Sequence, residues 1–224
     1  AADTAGGSAK DAPAEGTPAQ RTIWETVKHH FAVSACILQK DARIGKIIGF
    51  YSVVFAAHTL LFFYSQQYFA DFGYNKVQIS VIMLLVGGAS CFGALASEKM
   101  YRRFGKRCLI PETVIIAAAI LCYGSGKAGV AAAALMCAGF ANAALYPIQS
   151  DSLNALIPSE QRATLISVDS MCFSIAMIVL FPLAGAFADR WGLKTVLLLL
   201  GAILLLFLLA AFCIEKESFS SDHS

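Results

Sequence analysis

Residues 47–70 read IIGFYSVVFAAHTLLFFYSQQYFA, 24 residues without one Asp, Glu, Lys or Arg. A helix of that length reaches about 36 Å, enough for the roughly 30 Å hydrocarbon core of a bilayer. A lone strand would leave its amides unpaired in lipid, so the run has to be a helix. Outward from it, 77–97, 128–150 and 195–214 are equally free of charge, 108–126 contains only Glu112, and 163–188 only Asp169. The sequence predicts an all-α membrane protein, a six-transmembrane-helix bundle.

Composition points the same way. Of 224 residues 58% are hydrophobic and 14% charged, against about 25% charged in a soluble domain. The net charge is only +2, and Lys and Arg gather near the ends of apolar runs. That excludes the basic stripe of a nucleic-acid binder. Cys91, Cys122, Cys137, Cys172 and Cys213 lie inside the runs, as small buried hydrophobes rather than a disulfide framework. Six spans put both termini on one side. Thirteen of the 17 Lys and Arg belong to that side, leaving Lys76, Lys127, Arg190 and Lys194 opposite. Short cytoplasmic loops collect basic residues, so both termini are expected in the cytoplasm of a multi-pass plasma (inner) membrane protein.

The organisation reads as a flexible cytoplasmic linker over 1–21, an amphipathic interfacial helix over 22–45, the bundle over 46–214 and a cytoplasmic tail over 215–224. The chain opens on Ala1 with no initiator Met and no signal-peptide stretch, and reads as a cut. Thr22 and Glu25 have capping-box spacing, and Trp24, Val27, Phe31, Ala35 and Leu38 recur at helical intervals. The neighbours His29 and His30 diverge by about 100° on a helix and read as solvated surface. No metal and no cofactor is expected.

Two spans carry polar stripes. Tyr51, His58 and Ser65 are spaced by seven, as are Ser52, Thr59 and Gln66, and seven residues are close to two turns. Asn142, Tyr146 and Gln149 share a face of the fourth span, with Pro147 beside them to kink it. Polar stripes are costly in lipid and should face protein or a water-filled cavity. A solute pathway is the expected reading; interhelical hydrogen bonds that only glue the bundle are the alternative. Small residues at Ala131, Ala134, Ala138, Gly139 and Ala141 predict an interior fourth span, and Gly87, Gly88, Gly93 and Ala94 a close-packing second one. The Leu-rich last span should be peripheral and lipid-facing.

His58 lies mid-span, and its reference pKa near 6.5 suits reversible protonation. A neutral imidazole hydrogen-bonded to a neighbour is the structural alternative. Asp169 is the second coupling candidate, although Arg162, seven residues earlier, suggests an ion pair or helix-end contact instead. Glu112, just after Pro111, reads as a first-turn acid favoured by the helix dipole.

The cytoplasmic end of the second span runs GALASEKMYRRFGKR, from Gly93 through Glu98, Arg102, Arg103, Gly105 and Lys106 to Arg107. A small-residue helix end, an acid, basic residues and Gly-Lys-Arg resemble the loop signature of the major facilitator superfamily (MFS), in the form found in the second half of those transporters. Two departures are Glu98 in place of Asp and a longer spacing to Gly105. Residues 153–164, LNALIPSEQRAT with Arg162, resemble the loop before that family's eleventh helix, and 182–192, PLAGAFADRWG, the end of that helix. The resemblance implies helices seven to twelve, the C-terminal half of an MFS transporter. It implies that the first and fourth spans line the cavity, the second and fifth meet an N-terminal six-helix half, and the third and sixth lie outside. The implied function is secondary active transport of a small solute, a drug or metabolite, by alternating access and coupled to protons. The implied partners are that N-terminal half, the lipid bilayer, the solute and protons. A standalone six-helix subunit, as a homodimeric transporter or an assembly protein, is the alternative. An intramembrane enzyme finds little support, because Gly124-Ser125-Gly126 lacks a preceding Gly and Asp169 has no second membrane Asp.

Overall fold

The computed structural model describes residues 42–105, 109–156 and 162–221, with side chains between Ile44 and Ala210. The linker, most of the amphipathic segment including His29 and His30, Lys106, Arg107 and the chain end lie outside the described residues. Among the described residues six helices follow one another: α1 Ala42–Asp71, α2 Lys76–Phe104, α3 Leu109–Cys122, α4 Ala128–Asn154, α5 Arg162–Trp191 and α6 Leu193–Ser221. Among the described residues the regular structure is all helical.

All helices but α3 outrun the apolar segments. α2 continues through Arg102 and Arg103 to Phe104, where Gly105 at φ 59 caps it. Gly192 at φ 81 alone separates α5 from α6, and only Gly takes that conformation cheaply. α2 starts on a capping box in which Asn75 and Gln78 exchange two 2.9 Å hydrogen bonds.

Among the described residues five helices are long and apolar enough to cross a membrane; the third is shorter. The expected span 108–126 is α3 plus a 3-10 turn, Tyr123–Ser125. Their different rises give about 27 Å together, close to a hydrocarbon thickness. Tyr123 anchors the turn. It is fully buried, its carbonyl accepts from the Tyr68 hydroxyl at 2.9 Å, and the two rings meet edge to face at 4.7 Å.

α4 is the centre, packed on α1, α2 and α3, as its small residues predicted. Ala131, Leu135, Ala138, Ala141, Ala144 and Leu145 are wholly buried. The last helix, expected to be peripheral and lipid-facing, exposes most of its surface and packs through one stripe. Val196, Leu197, Leu204 and Leu208 are buried while Ile203, Leu206 and Leu209 are exposed. One leucine stripe packs on α3 and the rest is free to meet lipid. Glu112 corrects an expectation in part. It does lie in the first turn of α3, but it is 1% exposed and neither carboxyl oxygen has a hydrogen-bond partner.

Candidate functional site

α1 and α4 meet along the polar stripes. Phe55 and Tyr146 set the register, their rings 5.6 Å apart. The helices are antiparallel, so one turn beyond Phe55 the side chains of His58 and Thr59 come level with Asn142. His58 and Asn142 are partly buried, and His58 Nε2 and Asn142 Oδ1 are sealed from solvent without a hydrogen bond. The Thr59 hydroxyl donates at 2.7 Å to the Phe55 carbonyl of its own helix. Tyr146 is 57% exposed and Gln66 is exposed, so both face outward from the bundle. Tyr51 is buried, its ring 5.0 Å from Phe50 and 6.1 Å from Phe55.

Ser65 departs from the pathway reading. It is fully buried; its hydroxyl donates to the Leu61 carbonyl and so accepts from the Tyr123 hydroxyl at 2.6 Å. A period of seven slips about 20° per step against 3.6 residues per turn, which turns the C-terminal end of the stripe from α4 toward α3. There the alternative holds: Ser65 is interhelical glue. Sequence reasoning passed over Tyr123, whose only signal was an aromatic residue beside Gly124 and Gly126.

Gln149 is 1% exposed, and its amide turns toward the half-buried Asp169 without completing a hydrogen bond. Arg162 is exposed, and among the described residues no ion pair joins it to Asp169. The expected pairing of those two is therefore corrected. The carboxylate sits two turns into α5, facing α4 rather than its own helix end.

Toward the C-terminal end of α2, Gly93 is buried against the Phe140 backbone of α4. Glu98 and Arg102 form an exposed ion pair at 2.5 Å one turn apart, an interaction worth about 0.5 kcal/mol. Arg103 lies over the Phe104 ring at 5.7 Å. At the C-terminal ends of α1 and α5, Tyr64, Gln67, Asp71 and Asp189 line a cleft of about 440 Å³ between the two helices. The sequence reading did not single that cleft out. The described residues hold no group of three or more His, Cys, Asp or Glu able to bind a metal ion.

Comparison with curated proteins and with solved structures returns no match. The family model described as Major Facilitator Superfamily matches residues 3–167 and 113–223, nearly the whole chain. Its members are membrane transporters, in keeping with a multi-pass helical bundle and a polar seam between nonadjacent helices. The chain belongs to the major facilitator superfamily.

Proposed function

We propose that this chain is the C-terminal six-helix half of a secondary transporter. It moves a small solute, a drug or metabolite, by alternating access across the plasma (inner) membrane, with both termini cytoplasmic and protons as the coupling ion. One observation carries the reading: α1 and α4 meet with His58, Thr59 and Asn142 at one level, two of their polar atoms unsatisfied, and Tyr146 opening outward beside them. Unsatisfied polar atoms inside a membrane bundle are costly unless a ligand or water completes them. Tyr51, Gln66 and Gln149 extend the lining, and His58 carries the proton. The N-terminal half covers the open faces of α2 and α5. A second copy of this chain could cover the same faces, which is the homodimeric alternative.

The test is His58→Gln in the full-length protein reconstituted in liposomes. The substitution keeps size and hydrogen bonding but removes titration. Accumulation driven by a pH gradient should be lost while downhill exchange continues. Concentrative uptake that is unchanged between about pH 5.5 and 8, bracketing the reference imidazole pKa, would make His58 a packing residue.

A further inference from the structure

Three helices bring oxygen-bearing side chains to one level in the cytoplasmic third of the bundle, and two independent registers place them there. Between α1 and α4, Ile48 shares an apolar cluster with Leu153, and Phe55 packs its ring on Tyr146. Ser52 and Gln149 fall between those two contacts, one turn from each, so they are level. Between α1 and α5, Ile48 shares the same cluster with Leu165, and Tyr64 stacks on Phe181 at 5.6 Å. Both pairs are offset by 117 residues, and the same offset from Ser52 gives Asp169.

The level is polar and incompletely satisfied. Ser52 is 3% exposed and Gln149 1%, and neither the Ser52 hydroxyl nor the Gln149 amide has a hydrogen-bond partner. One turn nearer the cytoplasm on α4, Ser152 is 7% exposed and its hydroxyl is also without a partner. Asp169 is half-buried, with the Gln149 amide turned toward it and Cys172 one turn away. No Lys or Arg pairs with it among the described residues. Beneath the level, Ile44, Ile48, Leu153, Leu165 and Val168 form an apolar plug.

We propose that Asp169, Gln149 and Ser52 form a binding site for one monovalent, sodium-sized cation. The charge fits: one carboxylate neutralises one positive charge, whereas a divalent ion would keep an uncompensated charge and ordinarily draws on several carboxylates. The donors fit as well. Hard cations bind carboxylate, amide and hydroxyl oxygens, and these are the atoms left unsatisfied. A proton would occupy the carboxyl alone and leave the Ser52 hydroxyl and the second amide group orphaned. Oxygen-bearing side chains of α1, α4 and α5 share that level, so an ion bound there would tie the three helices together beneath the His58 layer. The site stands apart from the proton role of His58 and does not require it.

The experiment measures equilibrium binding of radioactive sodium to the full-length protein in detergent, with choline replacing sodium at constant ionic strength. It needs no solute and no transport, so failure of the transport reading would leave this result interpretable. Saturable binding is expected with the unaltered protein. Asp169→Asn should abolish it, Gln149→Leu and Ser52→Ala should weaken it at least about tenfold, and Ser167→Ala should leave it unchanged. Size-exclusion profiles check folding, and Ser52→Ala keeps the test valid if Asp169→Asn fails to fold. Absence of saturable binding overturns the proposal. So does binding that survives Ser52→Ala and Asp169→Asn alike, or a site that responds to pH but not to sodium.

Discussion

A Cβ added at Gly93 would overlap the Phe140 carbonyl, and one added at Gly139 would lie 2.8 Å from Ser90 Oγ and 3.1 Å from Val86 Cγ1. The backbones of α2 and α4 therefore touch through hydrogen atoms, which is how helices associate where lipid supplies no hydrophobic drive. The relevant partner is backbone at Gly93, so it cannot swing away as a side chain can. Gly93→Val should lower thermal stability by about 1–3 kcal/mol, the usual cost of overpacking. Gly88→Ala, with open space where the methyl would go, should stay within about 0.5 kcal/mol. Detergent melting curves followed by size exclusion compare the two, and equal losses would mean that α2 does not sit against α4 in this way.

Among whole elements, the positions of all six helices were legible because a run with at most one charge in lipid has one backbone solution. Their exact ends were not, because α2 carries Arg102 and Arg103 inside its last turn and stops only at Gly105. The interior place of α4 could be read from its alanines. The docking of α6 could not: leucine on every face leaves no periodicity to say which stripe is buried. Only the approach of neighbours decides it, with the Leu121 side chain crowding Gly201 and Leu198 crowding Gly124. The polar seam was half legible. Spacing found the α1 and α4 residues, but it could not show that Ser65 turns to Tyr123 or that Asp169 faces Gln149, since both depend on partners far away in the chain. The α6 assignment has a direct check. Leu204→Ala, on the buried stripe, should cost about 2–4 kcal/mol, and Leu206→Ala, 66% exposed, less than about 0.5 kcal/mol. Equal effects in the same melting assay would mean that α6 has no buried stripe.

Across the molecule, burial is uneven. Half of the apolar window of α1 and of α4 is buried, against 11% for α2 and none for α5. Lipid alone would cover such faces, but theirs are not made of large aliphatic side chains throughout. α2 shows Gly87, Gly88 and Cys91, with Ser90 half-buried beside them, and α5 shows Ser170 and Ser174, whose hydroxyl donates to the Ser170 carbonyl at 2.8 Å. Small and weakly polar residues suit a second helix bundle sliding past at close range more than acyl chains. In the proposed transporter these faces meet the N-terminal half and separate once per cycle. A bulky side chain there should leave the six-helix bundle intact, since a Cβ at Gly87 meets nothing within 4 Å, yet block closure against the partner half. Gly87→Trp and Ser174→Trp should therefore keep near-normal melting behaviour while solute exchange falls by about tenfold or more, the penalty expected when a required conformation is displaced by roughly 1.4 kcal/mol. Exchange that persists at the original rate in both variants would mean that lipid covers these faces, and the proposal of a partner half on α2 and α5 would fall with it.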